Sequence, residues 1–366
     1  MNRVSGLAGL VAALLVLATP AAAAATAFTG DRIDGIAVIE RLDVSDLPAG
    51  TLSRFWFRVT GQAVGQAWYV PVIVAKGTAP GPRLLLTAAI HGDELNGVAV
   101  VQDLVPGLDL RTLKGVVVGV PGLNIPGLMA GQREFEPSFA ADAVNLNRLM
   151  PGKLDGADVG EVYAGRLWNQ LFMGNADLVV DLHTQSRGTL YPMYAFAETP
   201  AAREMALALH PDVIKMDPGI RGTVENEMNA AGLVGVTLEL GGPDRFDPLM
   251  IERAKAGILN LMALHGMIPA RPPIRGPAPY IGTVTTDVDA PASGFARLQV
   301  GVGDTVHKGQ QLATVSDAFG RVLAIVTAPM DGQVLSIGTA AIRERGSLLV
   351  RIIGQSDDPV CREKGC

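Results

Sequence analysis

The sequence LLLTAAI at residues 84–90 runs directly into HGDE at residues 91–94. The first part is an unbroken apolar run, which is typical of a strand that is covered on both faces of a sheet. The second part places a histidine and a glutamate three residues apart where that strand ends. Two such side chains can direct metal-ligand atoms at one spot, although a short polar turn in water often has the same composition. The rest of the chain must decide between these two interpretations.

Three further apolar runs share this unbroken pattern. They lie at residues 115–120, 177–182 and 235–240. Segments with helical character separate the runs, at residues 95–105, 159–173 and 201–210. The alternation of buried strands and helices predicts an α/β fold, in which helices cover both faces of a mainly parallel or mixed sheet. Residues 36–76 are instead rich in aromatic and β-branched residues with glycine and proline breaks, which predicts antiparallel edge strands.

Three chemically active side chains stand at the ends of these predicted strands. His91 follows the first run, His183 follows the third, and Glu239 lies at the end of the fourth. In open α/β sheets the ligand crevice lies beyond the carboxyl ends of the strands. We therefore expect these three side chains to meet at one edge of the sheet.

The first 27 residues have the features of an export signal. Arg3 supplies the positive start, residues 7–17 an apolar segment, and residues 25–27 a small-residue cleavage site. This pattern predicts a periplasmic or secreted protein, with an uncleaved membrane anchor as the alternative. Cleavage would change the formal charge from −6 to −7, because the leader contains one arginine and no acidic residue. A negative chain without another long apolar stretch is expected to bind no nucleic acid and to lack a membrane span after cleavage.

A proline-rich segment at residues 271–280 marks a boundary near the C-terminus. Residues 281–354 then contain short strands, glycine turns and a rough internal repeat, which predicts a small all-β domain. Residues 355–366 are polar and are expected to form a flexible tail. This tail holds the only two cysteines, Cys361 and Cys366, which are either joined in a small disulfide loop or free.

The polar residues at the strand ends fit a hydrolytic zinc site. Such a site has three protein ligands and a fourth position for water, and His91, Glu94 and His183 meet that requirement. Glu239 is the candidate general base beside the water, although a carboxylate near Gly241 could also serve an ordinary helix start. Asp181 could orient a zinc-bound histidine or bind backbone donors.

A long glycine-punctuated segment at residues 124–152 is predicted to be a functional loop over the crevice. Its two arginines, Arg133 and Arg148, have a clear chemical use, because a guanidinium can stabilise an oxyanion or hold a carboxylate.

Four segments together carry a family resemblance. They are HGDELNG at residues 91–97, the loop with NLNR at residues 145–148, DLHT at residues 181–184 and LELGG at residues 238–242. In this order and spacing they resemble the succinylglutamate desuccinylase and aspartoacylase family of the zinc-carboxypeptidase-like superfamily.

The resemblance implies a role for each motif residue. It implies one Zn²⁺ per chain on His91, Glu94 and His183, with Glu239 as base and proton shuttle. Arg133 would polarise the scissile carbonyl, while Asn147 and Arg148 would hold the substrate carboxylate.

The C-terminal domain resembles lipoyl and biotinyl barrel-sandwich modules at residues 302–310 and 328–332. Those carriers need a lysine at a hairpin tip between the two halves, and no lysine occurs between Lys308 and Lys364. We therefore expect a structural role, either covering the crevice or mediating oligomerisation, and a homo-oligomer stays open.

These observations predict a zinc-dependent deacylase domain at residues 28–270 that cleaves the amide bond of an N-acylated amino acid or a related small anionic amide. A zinc carboxypeptidase or a peptidoglycan-type amidase is the alternative, because the same site cleaves peptides if its crevice is open. A non-catalytic binding or adaptor protein is the more remote alternative, suggested by the barrel-sandwich resemblance. Such a protein has no evident need for His91, Glu94, His183 and Glu239 together.

Overall fold

The protein is described here by a computed structural model that covers residues 25–62, 64–138 and 140–366. The strands in these ranges are β1 (Ala27–Ile33), β2 (Ile36–Arg41), β3 (Thr51–Gly61), β4 (Ala67–Lys76), β5 (Ala79–Ala88), β6 (Lys114–Val120), β7 (Leu178–His183), β8 (Thr189–Leu190), β9 (Met193–Ala197), β10 (Val213–Met216), β11 (Val234–Leu240), β12 (Tyr280–Gly282), β13 (Val284–Asp289), β14 (Gly294–Leu298), β15 (Thr305–Val306), β16 (Gln311–Ser316), β17 (Val322–Thr327), β18 (Gly332–Gly338), β19 (Ile342–Arg343) and β20 (Leu348–Gly354). The α-helices are α1 (Asn96–Leu104), α2 (Ile125–Ala130), α3 (Val159–Arg166), α4 (Pro200–Leu209), α5 (Val224–Ala230), α6 (Pro248–Leu264) and α7 (Pro359–Lys364). A 3₁₀ turn spans Leu146–Arg148, and a π-helical segment, Leu167–Phe172, continues α3.

The four apolar runs form the centre of an eleven-stranded sheet. Its strand order is β1-β2-β3-β4-β6-β5-β7-β11-β9-β10-β12. The central strands β6, β5, β7 and β11 are adjacent and mutually parallel. All six residues of β7 are buried, as expected for a strand that is covered on both faces. The predicted α/β fold with a mixed sheet is confirmed.

The N-terminal strands only partly match the predicted antiparallel edge. Strands β3 and β4 pair antiparallel with each other, and β4 pairs antiparallel with β6. However, β2 pairs with β3 in parallel, and the rim of the sheet is β1, which starts before the region in which edge strands were predicted. Alternating side chains indicate a half-covered strand but not the direction of its neighbour, so this part of the prediction was wrong.

Helices cover both faces of the sheet and form two separate cores. On one face, α1, α4 and α6 contribute buried residues such as Val101, Met205 and Ile258. On the other face, α3, the π-helical segment and α5 contribute residues such as Tyr163 and Leu171. The apolar strands face both cores, which fixes their register and therefore the position of each strand end.

The C-terminal strands form two small sheets around their own core. One sheet has the order β13-β20-β18-β15, with β8 of the larger unit paired to β18, and the other has the order β17-β16-β14-β19. Residues such as Val306, Leu312 and Ile352 lie buried between these sheets. Strand β12 pairs with β10 in the central sheet, so Ile281 and Gly282 belong there rather than with the all-β domain.

The structure tests the prediction for the C-terminal tail but not the prediction of an N-terminal export signal. Residues 1–24 of the predicted leader lie outside the described residues, so the export signal stays a prediction. The predicted flexible tail contains helix α7, and a disulfide joins Cys361 to Cys366. The backbone N–H of Cys366 also donates a hydrogen bond to the carbonyl of Thr283, at 2.8 Å. Among the helices in the described ranges, none is long and apolar enough to cross a membrane.

Helix α1 approaches the sheet closely at Gly97. A Cβ atom placed on Gly97 would lie 2.6 Å from the Cβ of Leu182 and 3.1 Å from the Cβ of Ala88. These are the last residues before the functional ends of β7 and β5. Only a residue without a side chain allows α1 to pack at this distance.

We predict that Gly97→Ala lowers the free energy of unfolding by about 1–3 kcal/mol, because the added methyl group overpacks the helix–sheet contact. Urea denaturation with an unchanged m value would measure this loss. Gly61→Ala is the matched control, since its Cβ would have the Gln66 carbonyl as its nearest neighbour among the described residues, 4.0 Å away. Equal midpoints for Gly97→Ala and wild type would show that this contact can relax.

Candidate active site

The predicted residues meet at the carboxyl edge of the central sheet. Strand β5 ends at Ala88, and Ala89 then adopts a left-handed conformation with φ of 53°, which turns the chain towards His91. His183 is the last residue of β7, and it pairs in register with Glu239 of β11. The loop over this edge is held tightly, because a Cβ atom on Gly92 would lie 2.0 Å from the backbone of Gly127. Parallel strand pairing therefore gathers side chains that are far apart in the sequence.

Two imidazoles and one carboxylate converge at this edge. Nδ1 of His91 lies 2.9 Å from Oε1 of Glu94, and Nδ1 of His183 lies 2.8 Å from Oε2 of Glu94. One ligand atom from each of the three residues lies within 4.8 Å of the other two, and all three side chains are buried. Two histidine nitrogens and a glutamate oxygen form a donor set of hydrolytic zinc sites, with a fourth position free for water. The residues fit the predicted metal.

In each histidine the ring nitrogen that faces away from Glu94, Nε2, lies near a side-chain oxygen. Nε2 of His183 lies 2.8 Å from Oδ2 of Asp181, and Oδ1 of Asp181 accepts a hydrogen bond of 2.6 Å from the Thr87 hydroxyl. Nε2 of His91 lies 3.2 Å from Oδ1 of Asn145. An acceptor at Nε2 retains the ring proton there and leaves the Nδ1 lone pair for a metal. Of the two roles considered for Asp181, the geometry favours orientation of the ligand histidine.

Glu94 is held as an anion by its neighbours. Besides both imidazoles, its carboxylate accepts hydrogen bonds from Nη1 of Arg133 at 3.1 Å, the Ser186 hydroxyl at 2.8 Å and the Thr184 backbone N–H at 3.1 Å. Burial opposes ionisation of Glu94, but the nearby histidines outweigh that cost and hold its pKa well below the usual range. A charged carboxylate is the form that binds a metal.

The carboxylate of Glu239, unlike that of Glu94, lies where burial favours its protonated form. Its side chain is buried, and its Oε2 atom has no hydrogen-bond partner in the described parts of the chain. Burial is the main cause that raises the pKa of Glu239 to about 8, and the negative charge of Glu94 acts in the same direction. A carboxylate with a pKa near neutrality can both accept and release a proton at physiological pH.

The three predicted loop residues also reach the site. Arg133 lies beside Glu94 and Ser186, as described above. Nη1 of Arg148 donates a hydrogen bond of 2.6 Å to the carbonyl of Asn147, and its guanidinium makes no ion pair with a described residue. Asn147 uses its Oδ1 atom to accept a hydrogen bond from Val224 N at 2.9 Å, which ties the loop to helix α5.

A cavity of about 600 Å³ lies over this edge and brings the candidate residues together. The seven residues proposed from the sequence all line it: His91, Glu94, Arg133, Asn147, Arg148, His183 and Glu239. The C-terminal domain contributes Thr285 and Arg351 to its wall. The cavity is therefore shared by the α/β unit and the all-β domain.

Sequence reasoning missed several residues of this site, and four of them are polar or charged side chains close to its chemistry. Asn145 orients His91, Ser186 bonds Glu94 and Arg133, and Glu225 and Arg351 line the cavity. Asn145 stands in the loop motif and could have been found there. The other three stand outside the motifs, and only the folded chain brings them to the cavity.

Comparisons with known proteins agree with this geometry. The family model described as the succinylglutamate desuccinylase/aspartoacylase catalytic domain matches residues 80–265. The chain is 29% identical over 263 residues to the N-alpha-acetyl-L-2,4-diaminobutyric acid deacetylase of Halomonas elongata, an alignment that covers 68% of this chain and 74% of the relative.

Solved structures show the same fold at lower identity. The product-bound ectoine utilization protein EutE (DoeB) from Ruegeria pomeroyi has a TM-score of 0.73 at 23% identity, covering 84% of this chain and 98% of that chain. The succinylglutamate desuccinylase/aspartoacylase from Rhodobacter sphaeroides has a TM-score of 0.72 at 23% identity, covering 85% of this chain and 98% of that chain.

The family match spans about half of the sequence, and it includes the His91–Glu94–His183 donor set, both loop arginines and Glu239. The chain therefore belongs to the succinylglutamate desuccinylase/aspartoacylase family of deacylases.

Proposed function

We propose that this protein is a zinc-dependent amidohydrolase that removes the acyl group from a small N-acylated amino acid. One observation carries the proposal: the buried donor set of His91, Glu94 and His183 opens into the same cavity as Glu239, whose Oε2 atom has no hydrogen-bond partner among the described residues. A bound zinc ion would lower the pKa of a coordinated water and polarise a carbonyl oxygen. The relative from Halomonas elongata, named as a deacetylase of an N-acetylated amino acid, supports this reaction class.

The side chains around the donor set have separate tasks in this proposal. Glu239 takes a proton from the attacking water and passes it to the departing amine, because its raised pKa suits both steps. Arg133 places a guanidinium beside the donor set, where it can stabilise negative charge on the amide oxygen. Arg148 has no carboxylate partner among the described residues, so it can bind the carboxylate of the substrate.

The shape of the cavity favours a small substrate over a long peptide. Its volume of about 600 Å³ lies within the range of small-molecule sites. Arg351 of β20 closes part of the wall, where it pairs with Asp287 at 2.5 and 2.8 Å and donates to the Tyr191 hydroxyl at 3.1 Å. These contacts support an N-acyl amino acid rather than the carboxypeptidase or peptidoglycan-amidase alternative.

The cellular compartment of the protein is a second part of the proposal. Residues 1–27 have the pattern of an export signal, and a disulfide between Cys361 and Cys366 suits an oxidising compartment. We infer a periplasmic or secreted enzyme. Fractionation of cells that express the full chain tests this inference, and recovery with the cytoplasmic marker would contradict it.

Metal analysis tests the donor set directly. We predict about one zinc ion per purified chain, as in other three-ligand catalytic sites, and loss of that zinc in His91→Ala and in His183→Ala. Asp181→Asn should bind zinc about 10- to 100-fold more weakly, because it removes the carboxylate that orients His183. His307→Ala, which changes a histidine whose side chain is 80% exposed, should bind zinc like the wild type. Unchanged zinc content in both ligand variants would place the metal elsewhere.

Glu239→Gln separates proton transfer from metal binding. The variant should retain its zinc, because Glu239 is not in the donor set, and should lose about 100- to 10,000-fold in kcat, the usual contribution of a general acid–base group. Steady-state hydrolysis and metal content would be measured on the same preparation. Activity close to wild type would remove Glu239 from the proton-transfer role.

Arg148→Ala tests the carboxylate contact. We expect kcat/KM for an N-acetyl amino acid to fall by about 10- to 100-fold more than for the same compound with a neutral carboxamide, since a charged hydrogen bond contributes about 1.5–3 kcal/mol. Arg221→Ala is the matched control, because Arg221 is exposed and is not in the cavity wall. Equal losses for the acid and its carboxamide would contradict a carboxylate-binding role.

A further inference from the structure

The segment that follows strand β7 contacts Arg133, the residue proposed to stabilise negative charge on the amide oxygen. Ser186 lies in this segment and lines the cavity. Its hydroxyl oxygen accepts a hydrogen bond of 2.5 Å from Nη1 of Arg133, and the hydroxyl donates one of 2.8 Å to Oε1 of Glu94. A serine hydroxyl has one proton and two lone pairs, so both hydrogen bonds can be made at once. Ser186 therefore joins the guanidinium to a carboxylate of the donor set.

The side chain of Arg133 depends on such contacts because it projects from a long loop between helix α2 and the 3₁₀ turn. It is 31% exposed, and both of its hydrogen bonds to described residues come from the Nη1 atom. The Nε and Nη2 atoms donate to no residue in the described ranges, which leaves them for an oxygen of the substrate. A group that stabilises an oxyanion must be held near its working position before the reaction begins. The contacts at Nη1 therefore set the direction of the free donors.

The two acceptors of Nη1 differ in charge. Oε1 of Glu94 lies 3.1 Å from Nη1 and attracts the guanidinium as an anion. When a metal cation occupies the donor set, the charge of this carboxylate is shared with it, and a guanidinium nearby is repelled by the cation. The hydroxyl of Ser186 has no net charge, and its oxygen can still accept from Nη1. Ser186 is thus the acceptor that retains Arg133 beside an occupied donor set.

Both neighbours of Ser186 are held by hydrogen bonds. The backbone N–H of Gln185 donates to the carbonyl of Gly241, just after β11, at 3.0 Å. On the other side, Nη2 of Arg187 donates to the carbonyl of Gly131 at 2.7 Å. Gly131 belongs to the same loop as the guanidinium that Ser186 contacts. The segment is therefore fixed to the sheet edge and to this loop, which suits a residue that aligns one with the other.

We propose that Ser186 is a positioning residue that directs the guanidinium of Arg133 towards the amide oxygen of the substrate. This inference rests on the proposed function, in which Arg133 stabilises negative charge on that oxygen. Ser186 takes no proton and forms no bond in this scheme. Its effect is greatest in the transition state, because the contact between Arg133 and the oxygen strengthens as the oxygen becomes negative.

Steady-state kinetics of the zinc-loaded Ser186→Ala variant test this role. We expect kcat and kcat/KM to fall together by about 10- to 100-fold, because the lost hydrogen bond to a charged group matters mainly in the transition state. Ser186→Thr retains a hydroxyl and should recover most of the lost activity. Ser293→Ala is the matched control and should behave like the wild type. Its exposed hydroxyl also donates to a glutamate, Glu344, at 2.7 Å, but it lies in the all-β domain and not in the cavity wall.

A double-mutant cycle with Arg133→Ala separates the orientation of Arg133 from simple support of Glu94. All variants would be compared at equal zinc content, measured on the same preparations. Ser186→Ala should cause almost no further loss of kcat once the guanidinium of Arg133 has been removed. An equal fold-loss in both backgrounds would overturn the proposal, and so would a wild-type kcat for Ser186→Ala alone.

Binding of a tetrahedral analogue gives a readout that does not require turnover. A methylphosphonamidate in place of the acetyl group carries a negative oxygen where the amide oxygen would become charged. Calorimetric titration of zinc-loaded protein should show about 10- to 100-fold weaker binding of this analogue to Ser186→Ala than to the wild type. The free amino acid product, which lacks that oxygen, should bind both proteins equally. Equal affinity of the analogue for both proteins would contradict the role of Ser186.

These experiments distinguish failure of the inference from failure of the proposed function. If the zinc-loaded wild type hydrolyses no N-acyl amino acid, the deacylase function fails. If the wild type is active and Ser186→Ala matches it in both kcat and analogue affinity, only the role of Ser186 is overturned.

Discussion

The carboxylate of Glu94 between two imidazoles is the contact on which the site depends. Glu94 is only 1% exposed, and an ionised carboxylate at that depth must be paired to be tolerated. Its partners come from two strand ends, β5 and β7, and from the loop that carries Arg133. These atoms can meet only if β5 and β7 pair in parallel in their observed register, from Leu84 with Leu178 to Ala88 with Leu182. The register of β5 against β7 therefore decides whether Glu94 has the partners that keep its carboxylate ionised.

Three glutamates line the cavity, and their pKa values differ because their neighbours differ. The two histidines hold the pKa of Glu94 well below its usual range, while burial raises that of Glu239 to about 8 and that of Glu225 to about 7. All three side chains are buried, so depth alone does not separate them. The difference lies in the neighbours: the carboxylate of Glu94 accepts several hydrogen bonds, whereas Oε2 of Glu239 has no hydrogen-bond partner among the described residues. This pattern is consistent with a metal ligand at Glu94 and a proton carrier at Glu239 in one cavity.

The parts of the site that the sequence predicted are those that local pattern determines. Unbroken apolar runs identify strands covered on both faces, and the residues after them must share one edge, which predicted the convergence of His91, His183 and Glu239. The parallel pairing of β2 with β3 and the arrival of Arg351 at the cavity depend on packing between distant segments, for which no local pattern exists. The ordered tail was missed for the same reason, because Thr283 receives its hydrogen bond from Cys366 only in the folded chain.

The all-β domain forms part of the cavity wall at the candidate site. Its resemblance to carrier modules did not predict this contact. Strand β18 pairs with β8, which follows the site strand β7 after a short loop, so the two units share backbone hydrogen bonds close to the cavity. Arg351 is neutralised by Asp287 of the same domain, and its Nη1 atom donates a hydrogen bond to the hydroxyl of Tyr191, a buried residue of the α/β unit. A paired guanidinium adds little net charge, so its effect at the wall is to fix shape. The domain therefore limits the space in the cavity, while the charged residues proposed for catalysis all come from the α/β unit.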